Sequence, residues 1–265
     1  MSYRFTILGC GSSGGVPRIG MSWGACDPEN PKNRRLRCSG LFERKGSGGV
    51  TAVLVDTSPD FRQQLLSVRA TALDGVLYTH DHADHTHGID DLRMVAFAMK
   101  RRVDVYFDRA TGASLKQRFA YCFETPPGST YRPILNSHEI DHETPVSIEG
   151  AGGVIRATPI AQTHGDVISL GWRVADLAYS PDVSGLTAEA EARLQGLDVW
   201  IVDALRHTPH ESHFSVKQAL GWIDRLKPKR AILTHMTSEL DYETLRRELP
   251  AGVEPAYDGM QIAFA

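Results

Sequence analysis

Short apolar runs rich in β-branched residues recur along the chain and predict strands at 5–8, 50–55, 75–79, 103–107, 154–160, 169–174, 199–202 and 231–234. Between them, 59–68, 110–121, 187–194, 215–226 and 242–249 carry apolar residues at the spacing of a helix's buried face, several behind Ser, Thr or Asp caps. The order is not a strict strand–helix alternation, because the N-terminal part and the stretch from about 144 to 180 are strand-rich. Two packed sheets flanked by helices account for this better than one doubly wound sheet. The Gly-rich segments 9–15, 46–49 and 150–153 and the pair Pro126-Pro127 read as loops. None is long enough to link independent domains, so 1–265 is expected to form one domain.

Composition adds the balance of an ordinary soluble globular protein, with 42% hydrophobic and 23% charged residues in 265. No stretch approaches the roughly 18 apolar residues of a membrane span, and the first residues show no export signal. The four cysteines, Cys10, Cys26, Cys38 and Cys122, are scattered singly, which suits reduced thiols and a cytoplasmic location better than a disulfide framework. A net charge of −3 speaks against broad binding of nucleic acid, which needs clustered Lys and Arg. The histidines change the picture most. Four of the eleven, His80, His82, His85 and His87, lie within eight residues.

Thr79-His80-Asp81-His82-Ala83-Asp84-His85 is an HxHxDH motif directly after an apolar strand. Imidazole nitrogens and carboxylates are ligands for zinc and related ions. In an extended segment His80 and His82 face one side, and a turn or first helical turn brings Asp84 and His85 to a second point, a geometry suited to two adjacent metals. Three further candidates, His164, Asp182 and His235, each follow an apolar strand. His207, His210 and His213, with Asp203 and Glu211 near, could supply a proton donor, although at least two of the three read as loop residues. His87, His138 and His142 receive no role.

Gly9-Cys10-Gly11-Ser12-Ser13-Gly14 spells GxGxxG after a strand, but the loop continues through Val16-Pro17 where a dinucleotide site needs a helix to open. A tight turn, or close passage of backbone by the active site, explains the glycines. The basic residues Lys32, Arg34, Arg35 and Arg37, with Lys100, Arg101 and Arg102, read as a solvated face that could also meet substrate phosphates.

HxHxDH followed by a distant His, Asp and His resembles the ligand series of the metallo-β-lactamase superfamily, from Phe5 to the C-terminus. Within it the likeness is to the phosphoribosyl cyclic phosphate phosphodiesterases of phosphonate breakdown, through the Gly-Val-Pro at 15–17, Arg37-Cys38-Ser39-Gly40, Asp56-Thr57, Ser180-Pro181-Asp182, Leu233-Thr234-His235 and the segment 257–262. The resemblance implies an α/β, four-layer αββα sandwich. It also implies two divalent ions per chain, zinc or manganese, one held by His80, His82 and His164 and the other by Asp84, His85 and His235, with Asp182 between them. Asp84 and His213 become the expected catalytic residues. Relatives with a structural zinc hold it with three cysteines and a histidine at positions that are here Met21, Trp23, Cys26 and Ser238, so that zinc is not expected.

The function this implies is hydrolysis of a small phosphodiester, such as a cyclic phosphate of a ribose or nucleotide, by hydroxide held between the two ions. His213 would act as an imidazolium acid on the departing oxygen. Hydrolysis of a thioester, lactone or β-lactam on the same site is an alternative, because a fold does not fix chemistry. A non-catalytic accessory protein like that of pyrroloquinoline quinone biosynthesis is another. The expected partner is a small phosphorylated substrate, with neither membrane nor nucleic acid; a homodimer is left open.

Overall fold

A computed structural model describes residues 2–265. Its strands in chain order are β1 (Ser2–Gly9), β2 (Ser39–Gly46), β3 (Gly49–Val55), β4 (Gly75–Leu77), β5 (Val103–Phe107), β6 (Leu135–Glu139), β7 (Val146–Ile148), β8 (Ile155–His164), β9 (Val167–Val174), β10 (Leu177–Ser180), β11 (Val199–Asp203), β12 (Arg230–Thr234), β13 (Val253–Pro255) and β14 (Gln261–Phe264). They form two seven-stranded sheets, ordered β14-β1-β2-β3-β4-β5-β6 and β13-β12-β11-β10-β9-β8-β7. Each sheet has one antiparallel and one parallel side: β14-β1-β2-β3 and β7-β8-β9-β10 pair antiparallel, whereas β3-β4-β5-β6 and β10-β11-β12-β13 pair parallel. Both halves of the chain therefore build the same plan, although no repeat is visible in the sequence.

Alternation along the strands sorts side chains into layers. Phe5, Ile7, Phe42, Val53, Val55 and Leu77 of the first sheet share a buried cluster with Ile160, Trp172, Tyr179 and Ile201 of the second, which puts the sheets face to face. The intervening residues Leu8, Leu41, Leu54 and Val76 point the other way, onto Phe61, Leu65, Leu92, Val95 and Leu115 of the helices Phe61–Val68, Leu92–Met99 and Arg109–Arg118. Helices Ala188–Arg193, Val216–Leu226 and Tyr242–Glu248 pack their apolar residues on the second sheet. The result is the four-layer sandwich. Side-chain caps start several helices: Asp108, Thr187 and Asp241 accept from the backbone N–H three residues on, and Ser215 forms a full capping box with Gln218.

Two differences from the sequence pattern have physical causes. The helix expected at 110–121 is two pieces, Arg109–Arg118 and Ala120–Phe123, because Phe119 leaves helical geometry at φ −126°. Strands β2, β6, β7, β13 and β14 carried too weak an apolar pattern to be read; β6 (Leu-Asn-Ser-His-Glu) and β13 are edge strands fixed by ladder hydrogen bonds on one side only. Among the described residues no helix is long and apolar enough to cross a membrane.

Candidate metal centre

Strand ends meet at one place. Beyond β4 the chain runs through Tyr78 and Thr79 into the HxHxDH segment, whose second half forms the helical turn Ala83–Thr86. From the second sheet come His164, the last residue of β8; Asp182, two residues past β10; Asp203, the last residue of β11; and His235, immediately past β12. Parallel strands that share a direction deliver their C-terminal residues to one edge, which is why positions scattered over 155 residues converge. Asp56 (φ 63°) and His235 (φ 57°) both sit in the left-handed region. There a non-glycine residue is rare and held by its surroundings, and each turns its side chain inward as its strand stops.

The two oxygens of buried Asp182 divide the cluster. Oδ2 lies 4.0 Å from His80 Nε2 and 3.7 Å from His164 Nε2, and His164 Nε2 is in turn 3.2 Å from His82 Nδ1. Oδ1 lies 3.0 Å from His85 Nε2 and 3.2 Å from His235 Nδ1, while Asp84 Oδ2 is 3.6 Å from His85 Nε2. All seven residues proposed from sequence are thus brought together around Asp182, and His80, whose ring centroid is 4.5 Å from that of His85, lies between the two sets. His82 and Asp84 are the members that reach solvent.

The far sides of the His80, His85 and His164 rings are tied to protein, so the near nitrogen of each is left facing inward. His85 Nδ1 meets Asp56 Oδ2 at 2.7 Å, and Asp56 also accepts from the Thr79 N–H and hydroxyl, both at 2.8 Å. Thr79 Oγ1 lies 2.9 Å from His80 Nδ1, and His164 Nδ1 donates to the Ser212 carbonyl at 2.6 Å. Asp81, the motif's outward-facing residue, accepts from Ser114 Oγ (2.6 Å) and Arg118 (2.9 Å), fastening the motif to a helix. Asp56 was missed as a site residue. It ends an apolar strand, as Asp182 nearly does, and that same signal could have found it.

The facing atoms themselves are unsatisfied. His80 Nε2, His85 Nε2, His235 Nδ1 and Asp182 Oδ1 are buried with no hydrogen-bond partner, each a penalty of about 1–3 kcal/mol in an ordinary interior. Charge points the same way. Burial works against protonated His85 and His235, yet the carboxylates around them, Asp182 foremost, hold both well above the usual histidine range. His80 instead is held well below it by burial and its imidazole neighbours. A group of carboxylates that draws protons onto buried imidazoles is one lacking positive charge. Inward nitrogen and carboxylate donors, three of the rings anchored from behind, suit a divalent cation.

His213 lies beside this cluster, its ring 4.6 Å from that of His235 and 4.7 Å from that of His164. Its Nδ1 is 2.7 Å from Asp203 Oδ2. Burial pushes the Asp203 carboxyl well above its usual range and lowers His213 to about 4. The Asp203 contact occupies Nδ1 and leaves Nε2 as the ring's other nitrogen. The histidine read from sequence as an isolated imidazolium is thus paired with a buried carboxyl. His87 and His207 are exposed, and His138 and His142 meet Asp104 and Asp108 away from the centre.

The glycine loop is explained by close passage of chain. A Cβ on Gly9 would meet Arg37 O at 2.0 Å, and one on Gly11 would meet Arg35 backbone at 3.0 Å. Of the basic run, Arg35 is neither solvated nor free for substrate: it is buried, donating to the carbonyls of Thr237 (2.9 Å) and Leu240 (2.6 Å). Lys32 lies over the rings of Tyr242 and Tyr257, and Arg37 pairs with Asp60.

The beta-lactamase superfamily domain matches residues 51–236. A crystal structure of a new diphosphatase from the PhnP family is similar with a TM-score of 0.88 and 35% identity, covering 100% of this chain and 98% of that one. An octanoyltransferase of Porphyromonas gingivalis is 30% identical over 260 residues, 97% of this chain; the chain spans only 51% of that relative's length. Coenzyme PQQ synthesis protein B of Xanthomonas axonopodis pv. citri is 25% identical over 305 residues, covering 98% of this chain and 100% of that protein. The match over most of the chain, on two face-to-face sheets with the metal-type cluster at their edge, makes this protein a member of the metallo-β-lactamase superfamily, similar to the PhnP family.

Proposed function

We propose that this protein is a hydrolase of small phosphodiesters that works with two divalent ions, zinc or manganese. One ion would be held by His80, His82 and His164 and the other by Asp84, His85 and His235, with Asp182 shared. The observation that carries the reading is the buried Asp182 carboxylate set among inward nitrogens of four histidines, with the Asp203-paired ring of His213 beside it. Bound ions would supply water activated at neutral pH and positive charge against phosphoryl oxygens. The chain's own part is proton handling. Asp84, at the solvent edge, is placed to accept the proton of the attacking water. His213 Nε2–H donates to the departing oxygen, and Asp203 fixes the ring and replaces its proton. A diphosphatase as structural relative supports including diphosphates in the substrate class.

A second reading is hydrolysis of an acyl thioester, favoured by the octanoyltransferase name of the relative this chain half covers. Zinc-loaded and manganese-loaded protein should be compared on bis(4-nitrophenyl) phosphate, a cyclic nucleotide and an octanoyl thioester. Phosphodiester turnover with a silent thioester supports the proposal; the reverse result replaces it. Inactivity on all three by protein with two metals per chain moves the reading to a metal-binding accessory protein.

A further inference from the structure

Of the two histidines in 206–213 that the mechanism leaves without work, His207 faces Glu248, and His210 is the one beside the site. His210 is exposed at the mouth of the site, its ring centroid 5.3 Å from that of His213. Its orientation is fixed from both sides. Ser212 N–H donates to His210 Nδ1 at 3.2 Å, and the Ser212 hydroxyl lies at the same distance from that atom. The Ser212 carbonyl is the acceptor for His164 Nδ1, so this one residue positions both an inward ring and His210. Arg206 secures the preceding turn through the carbonyls of Thr208 (3.4 Å) and Pro209 (3.3 Å). An Nδ1 occupied as acceptor places the ring's proton on Nε2. Among the described residues no protein group accepts that Nε2–H.

We propose that His210 Nε2–H is a hydrogen-bond donor to the leaving half of the substrate, and that it selects substrates whose leaving half is itself a phosphoryl group, that is, diphosphates. This deepens the phosphodiester reading and rests on it for the placement of the scissile phosphorus. In that reaction the water oxygen bonds to phosphorus and gives up its proton to Asp84. The P–O bond to the bridging oxygen breaks, and that oxygen departs on the second phosphoryl with the proton from His213 Nε2. His210 is exposed and lies next outward from buried His213, so a second phosphoryl departing past His213 would meet its N–H, and an N–H aimed at an anionic oxygen is among the stronger hydrogen bonds. His210 neither takes nor gives a proton; it is a specificity residue.

The test uses the full-length, metal-loaded protein. Steady-state kinetics of wild type, His210→Ala and His210→Asn are measured with diadenosine 5′,5″-P1,P2-diphosphate and with bis(4-nitrophenyl) phosphate, whose leaving group carries no phosphoryl. His210→Ala is expected to raise KM for the diphosphate about tenfold, leave kcat within about twofold, and change the nitrophenyl diester by less than about twofold; His210→Asn recovers part of the loss. Equal loss on both substrates, or loss on neither, overturns the proposal. A readout independent of turnover is binding of ADP and AMP by calorimetry, since ADP adds only the second phosphoryl. The ADP-to-AMP affinity ratio should fall about tenfold in His210→Ala. If wild type cleaves neither substrate but this ratio still falls, the phosphodiesterase reading fails and the role of His210 stands; an unchanged ratio overturns it.

Discussion

Two polar clusters are buried on either side of the turn that follows His235, and they solve the problem of interior charge in opposite ways. In the first, imidazoles and carboxylates face one another with atoms left unpaired, among them His80 Nε2, His85 Nε2, His235 Nδ1 and Asp182 Oδ1. In the second, the Arg35 guanidinium is enclosed with no carboxylate in ion-pair contact among the described residues, and its terminal nitrogens donate to Thr237 O, Leu240 O and, at 3.4 Å, Asn33 Oδ1, while its Nε has no partner. The Cys26 thiol joins this second cluster through the carbonyls of Ser238 and Leu240, while Met21 is exposed and Trp23 lies under Arg34. One cluster is built toward a cation from outside. The other brings its own, tying residues 26–35 to 237–240.

The contrast predicts that the first cluster responds to metal and the second does not. The largest effect should follow Asp182→Ala, which removes the carboxylate common to both sets. Metal content measured by plasma emission should fall below two ions per chain, and hydrolysis of bis(4-nitrophenyl) phosphate should fall about 10³-fold or more, because each metal is worth several kcal/mol to the transition state. An unaltered metal content would end the claim that Asp182 is shared. Metal uptake should also release protons, since His85 and His235 are held protonated by their carboxylates and must lose those protons to bind. Zinc added at pH 7 in weak buffer should acidify the solution, and affinity should weaken as pH falls.

Asp203→Asn separates proton delivery from metal binding inside the same cluster. It leaves the His213 ring hydrogen-bonded but takes away the acid that shares its proton. Turnover should drop about 10²-fold, at the lower end of what a general acid contributes, with two metals still bound. Simultaneous loss of metal would make the pair structural instead.

Arg35→Met tests the second cluster. The variant removes the shorter donor from each of two buried carbonyls, leaving Thr237 O with only the Leu240 N–H at 3.3 Å and Leu240 O with only the Cys26 thiol at 3.4 Å, at about 1–2 kcal/mol for each lost bond, offset in part because no charge is then buried. A net loss of about 2 kcal/mol is expected in urea unfolding, of equal size in metal-free and metal-loaded protein. A loss seen only in the loaded form would show that this cluster serves the metals after all.

The same contrast explains what could be read from the sequence. The first half of the chain supplies its ligands in one stretch, 80–85, where density and order announce the chemistry without any fold. The second half supplies one residue per strand end, so His164, Asp182 and His235 had meaning only once a sheet was assumed to bring strand ends together. Asp203 and Asp56 were harder still. Each is a single acid whose work, holding a histidine ring, leaves no spacing rule behind. Arg35 was misread because a run of basic residues looks solvated unless the chain that covers it, two hundred residues away, is known. Polar edge strands such as β6 escaped because their pairing rests on backbone hydrogen bonds that no side-chain pattern encodes.

The smallest effect should come from Asp56, the residue that supports the centre without facing it. Its carboxylate receives His85 Nδ1 and two bonds from Thr79, in the left-handed conformation at the end of β3. Burial raises its pKa, while His85 and the Thr79 donors act to keep it ionised. Asp56→Asn preserves size and one acceptor but removes the charge that makes His85 a better ligand, so affinity for the metal that His85 would hold should fall about tenfold, the low end for a group behind a metal ligand. The other metal should be affected less, because His164 is anchored separately by Ser212 and only His80 depends on Thr79, which Asp56 also holds. Competition with a chelator, read as two dissociation steps, would resolve the two ions. A uniform weakening of both would mean that Asp56 holds the whole strand end in place and that the centre's two halves are not independent.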